Sequence, residues 1–311
     1  MLNTKIPADK FKIIGTEDDA AELLARPPIN FWKDAWRRFK MNKIAVIALC
    51  VLCFLILMCV FAPLVSPYEF EAMDDSARQQ DPSMAHWFGT DKLGRDMWTR
   101  VWVGGRVSII IGLTGALISM TLGCIYGGIA AYFGGLVDTV MMRIVEVLIS
   151  VPYLIIVILM SVIFDKSDIP DLATLLLAMC ITGWCGTARF VRSEMLRIKS
   201  EEFTLAAQLL GVSPWNIVIR HFIPNTISII IVNITFSIPS YIFSEAFLSY
   251  MGLGIQPPGT SWGALASMAQ SLFTFYPYLL FWPVLMIALT MLCFTLIGEG
   301  LRDALDPKAR K

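Results

Sequence analysis

The sequence carries little charge for its length. Of its 311 residues, 16% are Asp, Glu, Lys or Arg, whereas soluble domains have about 25%. Hydrophobic residues make up 56% of the chain and the mean hydropathy is +0.66, which is more apolar surface than a water-soluble globule of this size can bury. The composition therefore predicts a membrane protein and excludes a disordered or fibrous chain.

An excess of basic residues is also missing. Lys and Arg together number 25, as do Asp and Glu, and this balance argues against a nucleic-acid partner. Histidine is scarce as well: His86 and His221 lie far apart, on opposite sides of the predicted membrane, so they form neither a metal site nor a catalytic group. We expect no metal, no cofactor and no enzymatic activity in this chain.

The cysteines give no sign of disulfide bonding. All seven fall in or beside predicted membrane spans, away from outside segments where a disulfide would form. Cys50 and Cys53 have C-x-x-C spacing, but no soluble βαβ unit surrounds them, so packing is the favoured interpretation.

Long charge-free runs predict six transmembrane helices, because crossing the hydrocarbon core takes about 20 mainly apolar residues. The predicted spans are Ile44 to Val65, Val107 to Phe133, roughly Ile144 to Phe164, Leu172 to Ala188 with some continuation, about Thr226 to Tyr250, and about Tyr278 to Gly298. An uncharged, aromatic-rich loop is left between the last two spans. The fold class is thus an all-α polytopic membrane protein.

Lys and Arg residues predict the orientation, because they favour cytoplasmic segments. They are frequent in the N-terminal tail and between spans four and five, and sparse in the segments that would then lie outside. Both termini are predicted to be cytoplasmic. The predicted divisions are a cytoplasmic tail (1–43), a first transmembrane helix (44–65), an extracytoplasmic loop (66–106), a five-helix core (107–301) with a cytoplasmic loop (197–225), and a C-terminal tail (302–311).

The end of the N-terminal tail has an amphipathic pattern. Phe31, Ala35 and Phe39 recur at i, i+4 and i+8, with Lys and Arg residues interleaved. This pattern is typical of a helix lying on the inner membrane surface. A plain continuation of the first span fits it equally well.

The outside loop contains a glycine spacing seen in nucleotide-binding proteins. Gly89 and Gly94 match G-x-x-x-x-G, but Arg95 and Asp96 replace the Lys and Ser/Thr of a phosphate-binding loop. A carboxylate there would repel phosphate, so we exclude nucleotide binding. Any ATP-driven work then requires separate subunits.

Two acidic residues fall within predicted spans. Glu146 lies near the inner end of span three, one turn after Arg143, and Glu245 lies near the outer end of span five. An ion-coupled secondary transporter would favour an acid near the bilayer centre. We therefore interpret both as polar contacts at helix ends or between subunits, and keep the ion-coupled transporter as an alternative from a different class.

The cytoplasmic segment between spans four and five carries the most information. Phe203, Ala206, Ala207 and Leu210 follow i, i+3, i+4, i+7, and Gly211 stands where a helix C-terminal glycine belongs. Next, Ser213 and a proline form an N-cap pair for a second short helix, which Pro224 stops. The sequence predicts a helix-turn-helix that another protein could approach closely; a self-contained interfacial loop is the alternative.

This segment resembles the coupling loop of ATP-binding-cassette importer permeases, whose pattern is E-A-A, three residues, Gly, nine residues, Ile, one residue, Leu-Pro. Ala206, Ala207, Gly211, Ile223 and Pro224 match, whereas Leu205 stands at the glutamate and His221 at the isoleucine. Several further blocks resemble the C-type permease of oligopeptide importers: His86 to Asp96, Gly105 to Ser108, Glu245 to Gly254, Gln256 to Pro258, Ser261 to Gly263, and Gly298 to Pro307.

The resemblance implies a multi-pass protein of the bacterial plasma (inner) membrane with the type I importer permease fold. It implies half of a translocation pore, completed by a B-type permease, two cytoplasmic ATP-binding subunits and an extracytoplasmic peptide-binding protein. The implied cargo is oligopeptides, with dipeptides, nickel complexes and glutathione as alternatives within the family. The residues it implies for ATPase coupling are Glu202, Phe203, Ala206, Ala207, Leu210, Gly211, Ser213, Arg220, His221 and Pro224. Substrate-binding residues stay unassigned.

Overall fold

A computed structural model describes residues 31–164, 170–218 and 222–306, and in these ranges the chain is almost entirely helical. Its α-helices are α1 (Phe31–Met41), α2 (Lys43–Val65), α3 (Met97–Phe133), α4 (Gly135–Ser150), α5 (Tyr153–Phe164), α6 (Asp171–Lys199), α7 (Glu202–Leu209), α8 (Pro214–Ile217), α9 (Ile223–Tyr250), α10 (Trp262–Gln270) and α11 (Tyr278–Leu305). A 3₁₀ turn spans Asp75–Ala77, and the extended pairing in the described residues is one bridge between Thr90 and Asp96.

Five of these helices are long and apolar enough to cross a membrane: α2, α3, α6, α9 and α11. The third predicted span is not one straight helix. α4 and α5 are bent by 81° relative to each other, and the break falls at Val151, whose backbone is extended, just before Pro152. A residue before proline avoids the helical conformation and proline lacks a backbone N–H, which accounts for the break. Counting this pair as one broken span gives six.

Small residues bring α3 and α6 into close contact. A Cβ atom at Gly123 would lie 2.6 Å from the Cβ of Thr187, and one at Gly127 would lie 2.4 Å from the carbonyl oxygen of Ala188. Lipid is as apolar as the helix surfaces, so burying apolar groups between two membrane helices contributes little to their association. Close van der Waals packing between small residues stabilises the pair instead. The contact between α3 and α6 therefore depends on the absence of side chains at these two positions.

The loop between α2 and α3 folds around its own charges. The Asp91 carboxylate accepts hydrogen bonds from the backbone N–H groups of Leu93 (2.8 Å) and Arg95 (3.0 Å), and from Nε of Arg95 (2.7 Å). Gly94 has a φ of +73° and its α-carbon faces the backbone of Asp74, so only glycine fits there. Gly94 is thereby explained by the closure of this loop.

Asp96 begins α3 and yields a first prediction. Its Oδ2 accepts hydrogen bonds from the backbone N–H and hydroxyl of Thr99, at 2.8 and 2.7 Å, while Oδ1 lies 2.9 Å from Nδ1 of buried His86. Asp96→Ala removes this N-cap and should destabilise the fold by about 1–2 kcal/mol. Thermal unfolding of the purified protein measures this loss. Exposed Asp75, whose carboxylate pairs with Arg78 on the surface, is the control: Asp75→Ala should leave the melting temperature nearly unchanged, and equal effects of both substitutions would contradict the cap assignment.

The amphipathic helix α1 is separate from α2. Asn42 interrupts the helix and caps α2, accepting a hydrogen bond from the Ala45 N–H at 3.1 Å. Ala35 and Phe39 are buried, with the Phe39 ring near Gly300 of α11, while Trp32 and Trp36 are exposed. A plain continuation of the first span is therefore not what forms here.

Candidate coupling surface

α7 packs against the C-terminal end of α6 through one of its sides. Thr204 is fully buried and its hydroxyl donates a hydrogen bond to the carbonyl oxygen of Ile198 at 3.0 Å. Ala207, one turn later, is also buried. The short helix cannot turn about its axis without breaking these contacts.

Gly211 ends α7 in the way its position in the sequence predicts. Its φ is +73°, and the N–H of Val212 reaches back to the carbonyl oxygen of Ala207 at 3.1 Å. This is the six-to-one hydrogen bond of the Schellman motif, in which a left-handed residue satisfies the last carbonyls of a helix. A Cβ at position 211 would meet no atom of the described chain within 4 Å. Within this chain, glycine is therefore favoured at this position by its backbone conformation and not by lack of space.

The second short helix, α8, starts as predicted at Ser213 and Pro214. The hydroxyl of Ser213 accepts from the N–H of Asn216 at 3.4 Å, and its carbonyl oxygen accepts from the N–H of Ile217 at 3.0 Å. Buried Ile217 then packs in a cluster with Phe222 and residues of α3 and α6: Ala131, Val191, Met195 and Ile198. The cluster joins the helix-turn-helix to the membrane core.

The outward side of the segment is apolar and exposed. Leu209 and Leu210 are 89% and 83% exposed, Leu205 is 48% exposed, and Ala206 and Gly211 are exposed as well. We call these five residues the coupling surface. The predicted apolar stripe of this helix therefore does not lie on one side, since Ala206 is exposed and Ala207 is buried against the protein. Leu205 places an apolar side chain where the family pattern has a glutamate.

Ionic contacts join the ends of the core helices that lie next to this surface. Arg192 of α6 donates hydrogen bonds from Nε and Nη2 to the two carboxylate oxygens of Asp138 on α4. Nζ of Lys199 donates to the carbonyl oxygens of Ala131 (3.1 Å) and Tyr132 (2.7 Å), the last turn of α3. A cation there satisfies orphan carbonyls and the helix dipole. Sequence reasoning missed these bracing residues, because the pairing is between distant segments and has no local pattern.

The remaining predicted coupling residues divide into two groups. Glu202 and Ser213 are exposed at the starts of α7 and α8. Arg220 and His221 lie outside the described residues, as do the side chains of Phe203 and Pro224.

The two intramembrane acids lie in different surroundings. Glu146 is exposed and pairs with Arg143 at 2.7 Å. Glu245 is fully buried inside the chain, accepting hydrogen bonds from the hydroxyls of Ser108 (2.7 Å) and Ser249 (2.8 Å). Glu245 lies five residues before the end of α9, and it joins Ser108 of α3 to Ser249 of its own helix, which fits the expected polar contact at a helix end.

The loop that follows α9 contains a helix that the sequence did not predict. α10 forms within the loop between the last two spans, with Ser261 accepting from the N–H of Ala264 at 3.1 Å as its N-cap. Trp262 is fully buried and its Nε1 donates to the carbonyl oxygen of Val101 at 2.8 Å. The serine before an apolar run was a usable N-cap signal.

Among the described residues, no group of three or more His, Cys, Asp or Glu side chains could hold a metal ion. The seven cysteines have free thiols.

Comparison with known proteins agrees with this architecture. Residues 119–311 match the family described as binding-protein-dependent transport system inner membrane component, and residues 30–82 match the N-terminal TM domain of oligopeptide transport permease C. The oligopeptide transport system permease protein OppC of Bacillus subtilis is 43% identical, over 98% of this chain and 99% of that protein. The dipeptide transport system permease protein DppC of the same organism is 42% identical, over 99% and 96%.

A solved structure shares the fold. The MetNI methionine ABC transporter in an inward-facing conformation matches with a TM-score of 0.55 over 68% of this chain and 97% of that chain, at 17% identity. The predicted type I ABC importer permease fold is confirmed. These matches, together with the helices long enough to span a membrane, show that the chain belongs to the family of binding-protein-dependent transport system inner membrane components.

Proposed function

We propose that this chain is one of two permease subunits of an ATP-driven oligopeptide importer. It forms half of the translocation pore in a heterodimer with a B-type permease. Two cytoplasmic ATP-binding subunits supply the hydrolysis, and an extracytoplasmic protein delivers the peptide. The observation that carries the proposal is the coupling surface, an exposed apolar patch on a short helix whose other side contacts α6 through buried Thr204 and Ala207.

The geometry suits the transmission of movement. Thr204 and Ala207 hold α7 against α6, and α6 packs tightly on α3 through Gly123 and Gly127. Packed elements of this kind move as rigid bodies between discrete arrangements. When ATP binding closes the two ATPases, a shift of α7 would therefore turn α6 and α3 together and open the pore outward. Hydrolysis would restore the inward-facing state.

The exposed leucines explain why a partner is needed. A contiguous apolar patch on a water-facing segment marks a protein contact, and Leu209 and Leu210 are almost fully exposed without a partner. The distribution of Lys and Arg residues favours a cytoplasmic position for this segment and both termini, where an ATPase could cover the coupling surface. Leu205 would then contribute an apolar contact at the position where the coupling-loop pattern of the family has a glutamate.

Peptides are the cargo that the similarity favours. The oligopeptide permease of Bacillus subtilis is 43% identical over nearly the whole chain. Dipeptides are the second candidate, because the dipeptide permease of that organism is 42% identical. The ion-coupled secondary transporter is not favoured, since the chain belongs to a family of binding-protein-dependent systems.

Removing the exposed leucines tests the ATPase contact. Burial of one Leu side chain at an interface contributes roughly 1.5–3 kcal/mol, so Leu209→Ser with Leu210→Ser should lower the amount of ATPase that copurifies by about tenfold or more. The permease itself should keep its melting temperature, because neither leucine packs inside it. Leu136→Ser is the control, since Leu136 is 80% exposed but lies on α4. Full ATPase recovery with the double variant would contradict the proposed contact.

A further inference from the structure

A groove runs along the membrane-spanning face of α9. It has a volume of about 400 Å³ and lies between α9, α6 and α5, which is within the size range of ligand sites. Its polar wall is formed by Thr187 of α6 and by Asn233, Ser237, Ser240 and Ser244 of α9. Among the described residues that line it, none is charged.

The polar residues of α9 form one stripe in the middle of the helix. Positions 233, 237, 240 and 244 follow i, i+4, i+7 and i+11, the spacing of a single helix face. The stripe extends over about 16 Å, from the rise of 1.5 Å per residue, and is centred near the middle of α9. Ser240 is exposed at its centre.

A polar stripe at this depth is not suited to lipid. Polar groups facing hydrocarbon are costly, and in membrane proteins they face a protein neighbour or a water-filled cavity. The open concavity favours a cavity over a packed helix contact. Gly186 supports this: it lies inside helix α6, where glycine is unfavourable by about 1 kcal/mol, yet a Cβ there would meet no described atom within 4 Å. Packing within the described chain does not require this glycine, and Gly186 lines the groove.

We infer that this groove is the chain's half of the peptide path, and that its hydroxyl and carboxamide groups bind the main chain of an extended peptide. This inference rests on the proposed function. Hydroxyl and amide side chains both donate and accept hydrogen bonds, as does a peptide main chain. An extended peptide rises about 3.3 Å per residue, so the stripe is matched to about five residues. Without charged groups, the wall does not select cargo by side-chain charge.

Thiol labelling in the complete transporter tests whether the groove is water-filled. The variant is Ser240→Cys, and the probe is a membrane-impermeant maleimide whose attachment is located by mass spectrometry. Native Cys53 is the internal control, because it is exposed on the apolar helix α2. The thiolate is the reacting species and forms poorly in lipid. Position 240 should therefore be labelled about tenfold faster than Cys53, and a transported pentapeptide of Gly and Ala should slow the labelling.

The outcomes separate the inference from the proposed function. Labelling no faster than Cys53, together with normal peptide uptake, would overturn the groove assignment and leave the importer standing. Cross-linking of position 240 to the other permease in every nucleotide state would also overturn it, because the groove would then be a subunit contact. Failure of peptide uptake by the unmodified transporter would instead refute the proposed function.

A charge substitution provides a second test that does not depend on labelling. Ser240→Asp and Ser240→Asn differ in charge but hardly in shape. With Asp, uptake of an acidic pentapeptide should fall about tenfold relative to a basic one, since two like charges within several ångströms repel strongly in a low-dielectric site. With Asn, the ratio of acidic to basic uptake should stay as in the unmodified transporter. An unchanged ratio in the Asp variant would overturn the inference.

Discussion

Replacing Gly211 by Asp is expected to lower ATP-dependent peptide uptake by about tenfold or more, at normal expression. Two effects combine. The φ of +73° at Gly211 costs a non-glycine residue roughly 1–2 kcal/mol. The new carboxylate would also be buried without a partner in the proposed ATPase contact, where an unpaired charge is strongly unfavourable. Uptake into proteoliposomes that contain the whole transporter measures the loss.

Gly211→Asn separates the two effects. Asn tolerates the left-handed conformation better than most residues and has the shape of Asp without the charge. A Cβ at this position meets no described atom within 4 Å, so the permease itself should fold in both variants. We expect Asn to reduce uptake only a few-fold. Normal uptake with Asp would refute the assignment of the coupling surface.

Replacing Glu245 by Leu is expected to destabilise the permease by roughly 2–5 kcal/mol, because each buried hydrogen-bonding group left without a partner costs about 1–3 kcal/mol. Leu has a similar size but cannot accept the hydrogen bonds of Ser108 and Ser249. Ser108 also lies 3.3 Å from the backbone nitrogen of Trp262, so the loss extends to α10. Thermal unfolding in detergent and the yield of monodisperse protein measure the effect.

Glu245→Gln is the matched control. Its carboxamide oxygen can still accept one serine hydrogen bond, and the serine hydroxyls can rotate to accept from its NH₂ group. We expect most of the stability and most of the transport to be retained. If Gln abolished transport while the melting temperature stayed normal, Glu245 would have a role in transport beyond stability, and the purely structural account of this residue would be wrong.

Local patterns in the sequence predicted the elements that depend on local physics. The Gly211 cap and the Ser213 start of α8 were readable because each uses residues within one or two turns. The apolar runs likewise predicted α2 and α11. The bend at Val151 was missed although Pro152 was visible, because a proline in a membrane helix can either be accommodated or break it.

Contacts between segments that are distant in the sequence could not be predicted from local sequence patterns. The Glu245 contact links residues 137 positions apart, and the Asp138 pair with Arg192 links two helices whose packing is set by the whole core. Ala206 is exposed and Ala207 is buried because of the side of α7 that contacts α6. Periodicity gives the faces of a helix but not which neighbour each face meets.

The energy source of uptake tests the central claim most directly. The permease would be reconstituted with its partner permease, the ATPases and the binding protein, and uptake of a labelled pentapeptide would be followed. The account predicts uptake that requires ATP and the binding protein and persists when ionophores collapse all ion gradients. Uptake by this chain alone, driven by an ion gradient without ATP, would contradict it.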